Sequence, residues 1–317
     1  MAPSARVFIS VAGLVKIASA GLYPGISPAN HTCVLSDPIL SCSDGADPGQ
    51  VDTCCVETYG GLLLQTQFWN TYTGLESKGQ LLPRDDWTIH GLWPDFCNGS
   101  YTQYCDLSRQ YDPEPSPNTT TGTTDGIPVP PYRGEPIDRW FGPYGKADLL
   151  AWMNDHWIAL DQPNWILWAH EYSKHATCFS SFQKECYLDD MFDFFETTIA
   201  FYKTVPSFTW LSAADIKPSN RTAYSLSSIQ DALTSGFGQL PFVGCSGPKY
   251  NETEAGRGSD DDGATVLDEI WYYHHVYGSP QRVRSVPVPV TDSYRTTCAE
   301  AKDAIWYYER TEGSERS

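Results

Sequence analysis

Two hydrophobic rhythms alternate along the chain. Segments 61–71, 87–93 and 270–277 are short, apolar-rich and β-like, and they predict β-strands, whose successive side chains point to opposite faces. Segments 146–157, 165–179 and 189–203 carry apolar residues three and four apart, and these predict helices. In the segment from Trp87 to Pro94, strict alternation puts Trp87, Ile89 and Trp93 on one side and Thr88, His90 and Leu92 on the other, with Pro94 closing the strand. In 165–179, Trp165, Trp168, Ala169, Tyr172, Ala176 and Phe179 form an apolar stripe, and His170, Glu171, Lys174 and His175 fill the opposite arc. No internal repeat or shift in composition divides the chain, so the expectation is a single α+β domain.

The aromatic content, 11 Trp, 19 Tyr and 13 Phe in 317 residues, suffices for one large core or two modest ones. Residues 1–20 read as an export signal: Arg6, an apolar run from Val7 to Ala18, then Ala18-Ser19-Ala20 as a cleavage site. That run is too short to span a bilayer, so the expectation is a mature chain, 21–317, without a membrane anchor. Export makes the ten cysteines disulfide partners first, and adjacent Cys54 and Cys55 are poorly placed to bond each other. Five N-x-S/T sequons, at Asn30, Asn98, Asn118, Asn220 and Asn251, fit the same compartment. Two stretches, 112–136 and 251–263, are rich in loop-forming residues and are expected at the surface. The run Asp260-Asp261-Asp262 lacks EF-hand spacing and reads as solvated loop.

Net charge is −18, and removal of Arg6 and Lys16 with the signal makes it more negative still. A basic surface for phosphates is therefore missing. Binding of a polyanion would have to be local, or to occur at low pH where carboxylates are neutral and histidines charged.

The cluster on 165–179 narrows the chemistry. His170 and His175 are five residues apart, about 140° around a helix, so they cannot share a zinc ion as an H-E-x-x-H pair does. No G-x-S-x-G elbow is present, and Cys178 is expected in a bridge. What remains is acid–base chemistry beside cationic charge, which suits a phosphodiester.

The run Trp87-Thr-Ile-His-Gly-Leu-Trp-Pro94 resembles the first signature of the T2 ribonucleases, and His170-Glu-Tyr-Ser-Lys-His-Ala-Thr-Cys178 resembles the second. The likeness runs from about Cys33 to Cys298 and is closest to the fungal branch. It implies an α+β fold with an antiparallel sheet flanked by helices, and the bridges Cys33–Cys55, Cys42–Cys97, Cys54–Cys186, Cys105–Cys178 and Cys245–Cys298. It implies catalytic roles for His90, His170, Glu171, Lys174 and His175, and base-binding roles for Trp93, Asp95 and Tyr101. A further base pocket resembles Gln67 and the stretch 162–167. Two departures are Ala176, where the family usually has glycine, and the insert after Tyr111, expected to be peripheral.

The resemblance implies a secreted or vacuolar, monomeric endoribonuclease without metal or other cofactor, cutting RNA but not DNA through a 2',3'-cyclic phosphate. In that chemistry His175 is the base, His90 the acid, His170 the phosphate holder, and Lys174 with Glu171 the charge stabilisers. The competing expectations are a catalytically silent glycoprotein of the same fold, which would have lost one of the central histidines, and a carbohydrate-active enzyme, which would need two paired carboxylates. His31, His156, His274 and His275 are expected to be structural or surface residues.

Overall fold

The computed structural model describes residues 33, 37–186, 190–247, 263–291 and 295–316. The export signal, His31, the sequons at Asn30 and Asn251 and all of the second loop except Gly263 lie outside the described residues.

Strand β1 (Leu62–Phe68) lies between β2 (Thr88–Asp95) and the long β5 (Thr265–Val276), antiparallel to both. The other edge of β5 pairs with β4 (Phe242–Ser246) and β6 (Ser285–Val288), again antiparallel. Strand β7 (Ile305–Trp306) runs parallel to the start of β5 and carries β3 (Ala223–Tyr224). The sheet is therefore mixed, where a purely antiparallel one was expected. A parallel neighbour needs a long crossover, and the chain between Val276 and Ile305 supplies one.

Helices α1 (Ala147–His156), α2 (Asn164–Lys174) and α3 (Asp190–Tyr202) cover one half of one sheet face, burying Ile89, Leu92, Trp157, Trp168, Tyr172, Phe179, Phe194 and Phe195 together. Helices α4 (Ser207–Ala213) and α5 (Leu226–Phe237) cover the other half with a second cluster around Trp69, Trp87, Tyr272 and Tyr307. Helix α5 buries Ile229, Leu233 and Phe237, one turn apart, between an N-cap at Ser225 and a left-handed Gly238. Among the described residues the opposite sheet face carries a smaller cluster, Leu62, Leu64, Phe242, Tyr273 and Val290, with Trp93, Trp271, Leu240, Val288 and Cys42 packed against it. That thinly covered face is where a cleft can form.

Three boundaries differ from the expectation for physical reasons. Strand β2 continues through Pro94 to Asp95, because β2 is an edge strand and one side of it needs no donors. Helix α2 ends at Lys174, whose carbonyl accepts from Tyr104 N at 2.9 Å, and a 3-10 turn over Ala176–Cys178 follows. Ala176, at the position where the family usually has glycine, buries its methyl in the core. The third difference is the parity of β2. Thr66 pairs with Gly91 but Gln67 pairs with Ile89, so His90 is the extra residue of a β-bulge. The bulge sends Ile89 and Leu92 into the same core cluster and leaves His90 beside Trp93, ring centroids 4.8 Å apart. Thr66 Oγ1 satisfies the displaced backbone by accepting from Gly91 N at 2.9 Å.

The described cysteines form Cys33–Cys55, Cys42–Cys97, Cys54–Cys186, Cys105–Cys178 and Cys245–Cys298, the five pairs that the resemblance implies. Sequons Asn98, Asn118 and Asn220 are exposed. Among the described residues no helix is long and apolar enough to cross a membrane.

His274 lies in the core with neither ring nitrogen hydrogen-bonded, its ring edge-on to Phe201 and Phe237. Burial pushes its pKa down to about 3. An unfolded histidine takes up a proton near pH 6.5 and this one does not, so stability is lost as pH falls from about 6.5 towards 3, by about 1.4 kcal/mol per unit at most. His274→Phe is expected to raise the melting temperature, more at about pH 4.5 than at about pH 7.5. Thermal unfolding at both pH values checks this, and an equal effect at both would contradict it.

Candidate active site

Helix α2 and the bulged strand β2 meet over a glycine. A Cβ on Gly91 would come within contact-breaking distance of Glu171 Oε2, so only glycine lets the helix carboxylate reach the strand. Glu171 has no exposure to solvent. Its Oε2 accepts from Trp93 Nε1 at 2.8 Å, and its Oε1, which has no hydrogen bond, lies 3.4 Å from His90 Nε2. The other nitrogen of His90, Nδ1, is hydrogen-bonded to Glu269 Oε1 on β5 at 2.5 Å. Phe68 stacks on the imidazole at 3.8 Å, and Trp157 Nε1 donates to the His90 carbonyl. Nδ1 and one ring face of His90 are thus held, while Nε2 faces the Glu171 carboxylate without a hydrogen bond.

His175 sits where α2 gives way to the 3-10 turn, and its ring stacks on Trp93, centroids 5.0 Å apart and nearly parallel. Its pKa is well below the usual histidine value, first because the ring is buried and then because Lys174, His170 and His90 repel a further charge. His175 is therefore neutral through the mildly acidic range. Lys174 Nζ donates to the Ser116 carbonyl at 3.1 Å. Burial pulls this ammonium below its ordinary pKa, and Glu171 and Asp112 oppose the shift. His170 Nδ1 is 2.8 Å from Asp112 Oδ2.

These side chains share one cavity of about 580 Å3, lined by His90, Trp93, Asp95, Tyr101, His170, Glu171, Lys174 and His175, the five catalytic and three base-binding positions that the resemblance implies. Asn98, a sequon residue, is on its rim. Leu62, Leu64, Trp271 and Tyr273 from the open sheet face complete the floor. Burial pushes Asp95 up to about 7, and Tyr101 is 60% exposed. Gln67 does not join them. It is fully buried against α4, with Nε2 donating to Val205 O and Oε1 accepting from Ser207 Oγ. The stretch 162–167 is also absent from the lining.

Sequence reasoning did not single out Glu269, Asp112 or Phe68. Glu269 lies two and four residues before Trp271 and Tyr273 on β5, so strand alternation puts it on their face of the sheet, but nothing in its own sequence neighbourhood marks it as a partner of His90. Asp112 opens the insert and carries no local signal of function. Its contact with His170 means that the start of the insert is not peripheral.

The sequence profile of the Ribonuclease T2 family matches residues 60–283. Ribonuclease Trv of Hypocrea rufa is 35% identical over 284 residues, covering 88% of this chain and 98% of that protein. Ribonuclease M of Aspergillus phoenicis is 36% identical over 252 residues, covering 77% and 85%. Ribonuclease T2-like 1-A of Candida albicans is 30% identical over 276 residues, and the match spans 57% of its length. The solved structure of Actibind, described as a T2 ribonuclease, superposes with a TM-score of 0.64 at 30% identity, covering 87% of this chain and 97% of Actibind. With a profile match over most of its length and relatives of this identity, the chain belongs to the Ribonuclease T2 family.

Proposed function

We propose that the protein is an endoribonuclease that cleaves single-stranded RNA by internal transphosphorylation. The observation that carries this reading is the convergence of three histidines, a lysine and a buried glutamate on one aromatic-walled cavity. Neutral His175 takes the proton of a ribose 2'-hydroxyl. The 2'-oxygen then bonds to the adjacent phosphorus, and the bond from phosphorus to the 5'-oxygen breaks as His90 delivers a proton to the leaving oxygen. The product is a 2',3'-cyclic phosphate. Water, activated by the reverse proton transfers, opens it to a 3'-phosphate. Lys174 and His170 bind the phosphate oxygens and stabilise the charge that builds on them. Glu269 fixes His90 by occupying Nδ1, which leaves Nε2 as the nitrogen that exchanges protons. Glu171, shared between Trp93 and His90, holds strand and helix groups in register.

Tyr101 offers an exposed ring at the cavity lining for stacking a base, and Asp95 offers a carboxyl for its polar edge. Trp93 gives one ring face to His175 and its indole N–H to Glu171, so it serves the catalytic groups as well as a base. Local recognition of this kind needs no basic surface, which accommodates the net charge of −18. The five disulfides support an oxidising compartment, and with the apolar leader they support secretion or delivery to an acidic lumen.

RNA and DNA digested side by side at about pH 5 with excess chelator test the reaction, because DNA lacks the internal nucleophile. The expected result is RNA cleavage with cyclic phosphate ends, insensitive to chelator, and intact DNA. Hydrolysis of DNA, or loss of RNA cleavage with chelator, would contradict it.

The depressed pKa of His175 keeps the base neutral in mildly acidic solution, so kcat/KM is expected to hold up on the acidic side, and because the reaction also needs a protonated donor no further gain is expected at alkaline pH. A pH–rate profile measures this. A rate that climbs steadily through about pH 9 would sink the assignment.

A further inference from the structure

The opening of the insert 112–136 is tied to the end of α2 at several points. Tyr111 N donates to Ser173 Oγ at 2.8 Å, and the preceding strand of chain is held by Tyr104 N to the Lys174 carbonyl and by the Cys105–Cys178 bridge. The bridge joins the two segments covalently beside the site. At the end of this seam, Asp112 is 1% exposed, and a buried carboxylate persists only where its oxygens are satisfied. Oδ1 accepts from Glu114 N at 2.8 Å, and Oδ2 accepts from Tyr104 Oη at 2.9 Å and faces His170 Nδ1 at 2.8 Å.

The donors can be assigned. Burial, reinforced by the charge of Asp112, raises the Tyr104 pKa far above its ordinary value, so the phenol keeps its proton and directs it at the carboxylate. An ionised carboxylate only accepts, so the proton between Asp112 and His170 belongs to Nδ1 of the imidazole. Nε2 is then the nitrogen left for a ligand in the cavity. Four residues on, the Ser116 carbonyl takes a hydrogen bond from Lys174 Nζ at 3.1 Å, and Ser116 N donates to Tyr104 Oη. One short segment therefore contacts both cationic groups that the proposed reaction assigns to the phosphate.

We propose that Asp112 is a positioning residue for phosphate binding: it locks the tautomer and orientation of His170 while the Ser116 carbonyl steadies Lys174, so that the insert completes the phosphate subsite. The inference rests on the reading of the cavity as a phosphodiester site. A consequence follows from the tautomer. Neutral His170 held through Nδ1–H presents a lone pair at Nε2, so phosphate is bound by the imidazolium form alone. Replacing the carboxylate with a carboxamide lets Nδ1 accept instead, which puts a proton on Nε2 without a charge.

The test compares wild type, Asp112→Asn, His170→Gln and the double variant, measuring kcat and KM on RNA and the inhibition constant of inorganic phosphate across pH 4.5 to 7.5. Asp112→Asn is expected to weaken phosphate inhibition and raise KM by about tenfold at pH 5, the size of one charge-assisted hydrogen bond, while kcat changes less. Its phosphate affinity is expected to fall less steeply with rising pH than that of the wild type. Adding Asp112→Asn to His170→Gln is expected to cost nothing further. Unchanged phosphate inhibition in a folded Asp112→Asn, or losses that multiply in the double variant, would overturn the proposal. Nitrogen-15 spectra of the wild-type imidazoles provide a readout that needs no variant: a His170 signal with the proton on Nδ1 is expected, and a neutral ring protonated only on Nε2 would overturn it. A wild type that neither cleaves RNA nor is inhibited by phosphate would remove the underlying reading and the inference with it, whereas an active wild type with an indifferent Asp112→Asn removes the inference alone.

Discussion

Glu171 sits fully buried between a helix and a strand, and the site depends on how that carboxylate is accommodated. A charge in such a place costs several kcal/mol unless partners are supplied. Trp93 supplies an indole N–H and His90 an imidazole edge, and both come from the strand that crosses the helix end. For the two elements to approach so closely, residue 91 must lack a side chain. For His90 and Trp93 to face the carboxylate together, β2 must break its alternation, which the bulge at His90 does. The cavity, the stacking of Trp93 on His175 and the second carboxylate at His90 are arranged around this contact.

Burial also divides the protonation states. His175 loses solvent and is surrounded by cations, which keeps it neutral. His90 has a carboxylate at each ring nitrogen. The two histidines line one cavity but differ in their neighbours, cationic groups around His175 and carboxylates beside His90. His175 follows the last residue of α2 with helical backbone angles, and its ring lies parallel to that of Trp93.

Much of this was legible in the sequence. The aromatic stripe of 165–179 and the short β-like runs 61–71 and 270–277 predict α2, β1 and β5, and the apolar residues of the stripe do enter the core. The two signatures contain His90, His170, Glu171, Lys174 and His175, the polar side chains that α2 and β2 bring to the cavity together with Asp95. What was not legible depends on contacts between distant segments. The bulge at His90 is a matter of pairing with β1, and strict alternation assigns Trp93 to the wrong side. Glu269 and Asp112 are ordinary acids until the fold brings them, 179 and 58 residues away, to His90 and His170. Helix α5 carries a cap at Ser225 and apolar residues one turn apart, but its few apolar positions are diluted among polar ones, and strand β7 is too short to show a period.

The central claim is that His175 moves the proton of the attacking hydroxyl. Its most direct test is steady-state cleavage of RNA at about pH 5 by His175→Phe, a substitution that keeps a ring to stack on Trp93, with the fold checked by thermal unfolding and phosphate binding measured in parallel. The account predicts a fall in turnover of about 10²-fold or more with fold and phosphate binding largely retained. Near-normal turnover in a folded His175→Phe protein would contradict it.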